Sequence, residues 1–358
     1  MSPRDRRVYT FPGTVSHYQD GIQQAELLRR GVTDFRDTQS HGLAFDRPDK
    51  TVDPVAQLLA ARAAAIQGDA DSRARFLEEE VIIYTPDVMH VSETIEVLLP
   101  RARRFSNPGG MRIQGVGGTG KDTVIRIFQR KYPPYHTDGY LCVPILVVTF
   151  DARLAPGAIL QNLLGQLQGL YKRSGSIKDL EDCLLEAIPS RGTIGIIFNE
   201  CQHLLPVSDS RKRAQSRQAG ETGDWFKRFL DKIRIPVFML GTPGWDDVFE
   251  LDPQLATRLA HRFMFSELKS DAIFVGVLQA LDEAIPMPEP AGLYKRELAD
   301  PIYRVCRGNW RRLTTLLKEA IILATESGSV RIERDHLRRA YSVQFGLDGN
   351  PFDLLSRK

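Results

Sequence analysis

Nine residues, GVGGTGKDT from Gly115 to Thr123, combine side-chain types that can meet around a phosphate. Gly115 and Gly120 enclose Val116, Gly117, Gly118 and Thr119, and Lys121 follows, which is the GxxxxGK spacing of a phosphate-binding loop. Glycines let the backbone turn so that successive N–H groups face phosphate oxygens, and the lysine adds a compact positive charge for the terminal phosphates. One position departs from the pattern. A Ser or Thr whose hydroxyl ligates Mg2+ is expected after the lysine, but Asp122 stands there and Thr123 comes next. Nucleotide binding follows from the loop. Metal handling does not, and Asp122, Thr123 and Asn199 are the candidates for it.

A second group lies downstream. IGIIFNE puts Asn199 and Glu200 at the end of an apolar run, where the carboxyl ends of parallel strands gather ligands. A nucleotide hydrolase holds Asp then Glu here, the first for Mg2+ and the second to polarise the attacking water. Asn199 replaces the Asp, while Glu200 is intact as the expected base; an ordinary strand exit is the competing reading. Thr242, in GTPG, can offer a hydroxyl to the water or the terminal phosphate, although GTPG is also a good turn by itself. Arg258, in DPQLATRLAHRF, and Arg311, in GNWRRL, are arginines that could stabilise charge on a transferring phosphoryl group.

The elements that must position these residues can be read from periodicity. Met111 to Gln114 forms the strand before the loop, and DTVIRIFQRKY after it carries Val124, Ile125 and Phe128 at helical spacing. Apolar runs Val143 to Phe150, Thr193 to Phe198, Pro236 to Leu240, and FMF within His261 to Leu268, alternate with helical segments, which predicts a parallel sheet covered on both faces. After Leu268 only helical patterns remain. The expected organisation is an arm over 1–75, in which only Val55 to Gln67 is clearly helical, then an α/β nucleotide-binding domain over 76–268, a helical lid over 269–345 and a polar tail over 346–358.

Composition sets outer limits. The chain has 358 residues and a formal net charge of +3, so any contact with nucleic acid must come from local clusters. Its four cysteines, Cys142, Cys183, Cys201 and Cys306, form no CxxC pair and predict reduced thiols without a zinc site. No apolar run approaches the roughly 18 residues that cross a bilayer, so the expectation is a soluble cytoplasmic protein with no membrane partner.

The order of these pieces resembles the AAA+ ATPases, and within them the TniB/TnsC type of transposition regulator. YTPDVMHVSETIEVLL, GVGGTGKDT, VPILVVTFDARLAPGAILQNLLGQL, IIFNECQHLL, IPVFMLGTPGW, DPQLATRLAHRF and GNWRRLTTLLKEA carry the resemblance over roughly residues 78–343. It implies a five-stranded parallel sheet in the order 5-1-4-3-2, a small C-terminal helical lid, and ATP with Mg2+ bound at a subunit boundary. It also implies roles: Lys121 on phosphates, Glu200 as base, Thr242 as a first sensor, Arg311 as the lid sensor, and Arg258 reaching a neighbour's site. Such proteins assemble on duplex DNA as rings or hexamer-like helical filaments and present that platform to a transposase and a target selector. Asp122 and Asn199 put rapid hydrolysis in doubt but leave ATP-gated assembly standing.

For DNA itself, SRKRAQSRQAGETG brings Arg211, Lys212, Arg213 and Arg217 together on a segment without apolar anchors, suited to sequence-independent phosphate contact; a solvated loop is the competing reading. Arg101 to Arg104, RARR, is a second basic cluster. Other readings of the chain are a nucleotide switch of the origin-recognition type, a switch that never hydrolyses, and a small-molecule phosphotransferase, whose loops take the form GxxxxGKxT.

Overall fold

The computed structural model describes residues 54–137, 139–151, 154–167, 174–204, 225–226, 228–246, 253–346 and 348–353. The first 53 residues and the basic segment with Arg211, Lys212, Arg213 and Arg217 lie outside them. Five strands make one sheet: β1 (Gly110–Gln114), β4 (Ile145–Thr149), β5 (Gly195–Asn199), β6 (Val237–Gly241) and β7 (His261–Met264). Their spatial order is β7-β1-β6-β5-β4, every neighbouring pair parallel. Numbered among themselves these strands run 5-1-4-3-2, the order the resemblance implied. A short antiparallel hairpin, β2 (Tyr135–Thr137) and β3 (Tyr140–Cys142), precedes β4 and has no counterpart in the apolar pattern. Three residues per strand are too few to show a period.

The inner strands β1, β5 and β6 are buried at every position because helices cover both faces. Around them pack α3 (Pro86–Leu98), α4 (Lys121–Lys131), α5 (Pro156–Gln166) and α6 (Ile177–Ser190), with Val91, Ile95, Phe128, Leu163 and Leu184 in the shared core. Local chemistry sets the ends of these helices. Thr85 caps α3 through Val88 N–H with Pro86 at the first helical position, and α3 gives way to a 3-10 turn at Pro100. Ser176 and Asp179 form a reciprocal capping box on α6.

A short helix, α7 (Pro253–Arg258), leads into β7. The helical unit follows, as α8 (Ala272–Ala284), α9 (Arg296–Cys306), α10 (Trp310–Glu326) and α11 (Arg334–Phe345). Two earlier helices, α1 (Pro54–Gln67) and α2 (Ala70–Glu79), belong to the same packing. Phe76, Leu77, Val81 and Ile83 share one core with Leu281, Leu313 and Leu317, and Lys318 pairs with Glu78 at 2.8 Å. The chain therefore passes through the lid before it enters the α/β domain. Arg126 and Arg130 of α4 tie the two units together: Arg126 donates to the Glu79 carbonyl at 2.6 Å and Arg130 to the Glu80 carbonyl at 2.9 Å. Guanidinium groups are well placed there, at the negative carboxyl end of α2.

Candidate nucleotide-binding site

The loop between β1 and α4 lies at the carboxyl edge of the sheet. Gly118 and Gly120 have φ of 80° and 99°, a left-handed backbone that β-carbons disfavour. At Gly118 space is also decisive, since a Cβ would stand 2.4 Å from Asn309 Oδ1. Lys121 opens α4 with 4 % of its surface exposed, and among the described residues no carboxylate pairs with it. A buried ammonium needs a counter-charge. Together with the free amino end of α4, it marks a seat for an anion.

Asp122 and Asn199, the two departures from the sequence pattern, meet. Asn199 Nδ2 donates to Asp122 Oδ1 at 3.2 Å across 77 positions of sequence. Asn199 is 7 % exposed and its Oδ1 is buried without a hydrogen-bond partner among the described residues, whereas Asp122 is exposed. Thr123 faces another way and lines a cavity of about 250 Å3 with Thr85, Val88, Gly120, Leu268 and Trp310. That volume is below the roughly 300–1,000 Å3 usual for small-molecule pockets, so it suits one part of a nucleotide. Ile83, Val88 and Trp310 give it apolar walls, beside the charged Asp87, Glu267 and Lys269. Sequence patterns mark none of the residues from Ile83 to Val88 as site residues; the only signal is that this segment precedes the loop at the start of a capped helix.

Glu200, directly after β5, has φ of 58°, a conformation that costs a non-glycine residue about 1–2 kcal/mol. Gln202 holds it. Its Nε2 donates to the Glu200 carboxylate while its Oε1 accepts the Thr242 N–H at 3.1 Å. A carboxylate only accepts and an N–H only donates, so the amide can make both bonds in one orientation alone. Gln202 escapes sequence reasoning because a glutamine after a strand carries no signal of its own. Beneath Glu200, burial pushes the Cys201 thiol well above its ordinary pKa and leaves it neutral.

The loop bearing Thr242 is anchored from below. Trp245 Nε1 donates to the Ile113 carbonyl at 3.3 Å, and the fully buried Asp246 pairs with Arg112 at 3.3 Å and Arg262 at 3.1 Å. The lid reaches the phosphate loop directly. Asn309 Nδ2 donates to the Gly117 carbonyl at 2.8 Å, Trp310 N–H donates to the Gly118 carbonyl at 2.7 Å, and an Arg311 nitrogen lies 3.7 Å from where a Gly117 Cβ would stand.

The structure thus gathers the loop residues, Asn199, Glu200, Thr242 and Arg311 at one edge. Arg258 is elsewhere, just before β7 at the amino edge and ion-paired with Asp231. Arg101 to Arg104 lie before β1 at that same amino edge, where Arg103 N–H donates to the Arg234 carbonyl at 2.8 Å. Among the described residues no cluster of three His, Cys, Asp or Glu could hold a metal, the cysteines are free, and no helix is long and apolar enough to cross a membrane.

Comparison with known proteins gives a family and a fold. The family model described as bacterial TniB protein matches residues 73–268, more than half of the chain. Among solved structures, an ADP form of the Aeropyrum pernix ORC2 protein is 18 % identical, covering 79 % of this chain and 74 % of its own, with a TM-score of 0.55. Cdc6p from Pyrobaculum aerophilum is 19 % identical, covering 73 % and 68 %, with a TM-score of 0.52. The Aeropyrum pernix ORC1 protein, solved in complex with DNA, is 14 % identical, covering 75 % and 69 %, with a TM-score of 0.52. No curated protein matches.

Proposed function

The chain belongs to the TniB family of AAA+ ATPases, and from that premise we propose that it is an ATP-dependent assembly factor of transposition, which oligomerises on duplex DNA and links target selection to a transposase. The observation that carries nucleotide binding is Lys121, buried at the amino end of α4 without a carboxylate partner among the described residues. The base enters the cavity between Ile83, Val88 and Trp310, and the phosphates lie over Gly115 to Lys121. Glu200 takes the proton of the attacking water, Thr242 orients the terminal phosphate, and Arg311 reads its presence from the lid.

Mg2+, if bound, would offset part of the negative charge of the nucleotide's phosphates. The residues fit such a hard cation, because the Asn199 amide that meets the Asp122 carboxylate also carries a buried oxygen without a partner among the described residues. Arg258 lies at the sheet edge opposite its own phosphate loop, so its role in this reading is in the site of a neighbouring protomer within a ring or hexamer-like filament. Arg211, Lys212, Arg213 and Arg217 supply repeated phosphate contacts to DNA, and the ORC1 relative solved with DNA supports a DNA-facing use of this fold.

Negative-stain imaging with a non-hydrolysable ATP analogue and duplex DNA tests this reading. Rings or filaments are expected only when both are present, and Lys121→Ala should abolish them, since each charge-assisted phosphate contact is worth about 1.5–3 kcal/mol. Assembly by Lys121→Ala that still requires ATP would overturn the loop as the switch.

A further inference from the structure

We infer that Asp122 and Asn199 form a rebuilt metal seat in which the carboxylate has moved from the tip of β5 to the phosphate loop, so that this chain binds nucleotide only as its divalent-metal complex. The inference rests on the nucleotide-binding reading above and adds a property that reading does not require.

The pattern of such loops puts a neutral hydroxyl after the lysine and a carboxylate at the strand tip. Here the carboxylate follows the lysine and the neutral amide is at the tip, so the formal charge is unchanged while its position is exchanged. The hydrogen bond between them shows that the two changes concern one place. Asn199 Nδ2 reaches Asp122 Oδ1 at 3.2 Å, and the amide must face that way because its oxygen would be repelled by a carboxylate. The other heteroatom of that amide, the Asn199 oxygen, is buried and without a hydrogen-bond partner among the described residues. A buried acceptor calls for a donor or a cation, and with Asp122 beside it the pair supplies the oxygen donors that Mg2+ prefers.

Electrostatics then decides the order of binding. The amino end of α4 stabilises either the Asp122 carboxylate or incoming phosphates, and both compete for one positive terminus. Like charges close together disfavour each other unless a cation lies between them. Asp122 is exposed, which moderates the repulsion without removing it.

Two simpler accounts compete. Thr123 could supply the missing hydroxyl, but consecutive side chains on a helix diverge by about 100°, and Thr123 lines the cavity under Thr85 and Val88 while Asp122 contacts Asn199. Asp122 could serve only as a favourable first-turn acid, but that leaves the Asn199 oxygen unexplained.

The test uses the full-length chain and titrates ADP by calorimetry in Mg2+ and in EDTA, and Mn2+ into the protein–ADP mixture by electron paramagnetic resonance. For the parent, affinity for ADP should fall at least about tenfold in EDTA, the size expected of one like-charge contact near a surface. Asp122→Thr should recover most of that loss in EDTA, whereas Asn199→Asp should not. At saturating ADP, Asp122→Asn should weaken Mn2+ about tenfold, and Thr123→Val should weaken it less. Unchanged thermal midpoints establish that the variants fold. Equal ADP affinity for the parent in Mg2+ and EDTA, or Mn2+ affinity that depends on Thr123 and not on Asp122, overturns the seat. No ADP binding under either condition instead rejects the nucleotide reading, and the seat with it.

Discussion

At the scale of single residues, several side chains of the site are set by specific hydrogen-bond partners. Glu200 is the clearest case. Its left-handed backbone turns the carboxylate out of the strand, and Gln202 links that carboxylate to the N–H of Thr242, so the proposed base and the proposed sensor share one amide. Removing the base should cost about 10²–10⁴ in turnover, the usual contribution of general base catalysis. Glu200→Gln is thus expected to lose hydrolysis while keeping nucleotide affinity. Gln202→Leu should lower turnover in the same direction by a smaller factor, because it frees the carboxylate without deleting it. Phosphate release measured beside a nucleotide titration checks both; a Gln202→Leu protein that loses affinity in proportion to turnover would show that the glutamine supports binding instead.

At the scale of elements, the lid is joined to the phosphate loop through Asn309. Its side chain caps α10 by accepting the Arg312 N–H at 3.2 Å and also donates to the Gly117 carbonyl. The two tasks can be separated. Asn309→Ala should destabilise the lid by about 1 kcal/mol through loss of the cap and weaken nucleotide binding. Asn309→Asp should keep the cap, and so the thermal midpoint, while still weakening binding, because a carboxylate cannot donate to Gly117. Asp282 gives the lid a pH dependence. It accepts the Ala291 and Gly292 N–H groups at 2.8 and 2.7 Å, and burial is the main cause that raises its pKa above the ordinary 3.8. A carboxyl group with a raised folded pKa favours the folded state when protonated. Its contribution is therefore greatest in acid and declines as pH climbs from 3.8 through the raised folded value. Asp282→Asn should destabilise the protein near neutrality by about 1–3 kcal/mol, the cost of an unsatisfied buried donor. The gap to the parent should widen as pH falls through that window, which denaturant melts across acid pH would reveal.

At the scale of the whole molecule, a net charge of +3 gives no general attraction for DNA, so any binding depends on clusters. Neutralising Arg211, Lys212 and Arg213 should weaken duplex binding equally across sequences. The slope of log affinity against log salt should flatten by roughly 0.9 for each phosphate that is no longer neutralised. Fluorescence anisotropy over a salt series measures this, and an unchanged slope would return the segment to a solvated loop. The molecule's two cores also bear on assembly. The first carries the sheet, and the second is built from the C-terminal helices plus Phe76, Leu77, Val81 and Ile83. Arg126 and Arg130 join them from the helix that begins with Lys121. The proposed phosphate seat at Lys121 and the contacts of Arg126 and Arg130 with the end of α2 thus lie on one helix of about three turns.

The sequence by itself determined what is local. Phosphate-loop spacing, apolar strands, helix caps and the change to an all-helical pattern after Leu268 are set by neighbours a few residues apart, and the sheet formed where those signals lay, while the second core also took in Phe76 to Ile83 from before it. Tertiary structure alone decided what meets across the chain. Because β1 sits between β6 and β7, and β5 beside β6, segments far apart in sequence end at one edge of the sheet. That placed Asn199 against Asp122 and Gln202 against Thr242, and turned Thr123 into the cavity. It also put Arg258 beside Asp231 at the far edge, away from the loop. The apolar spacing of Phe76 to Ile83 shows that one face is buried but not which core buries it, since burial has no direction along the chain and both cores offer the same apolar surface.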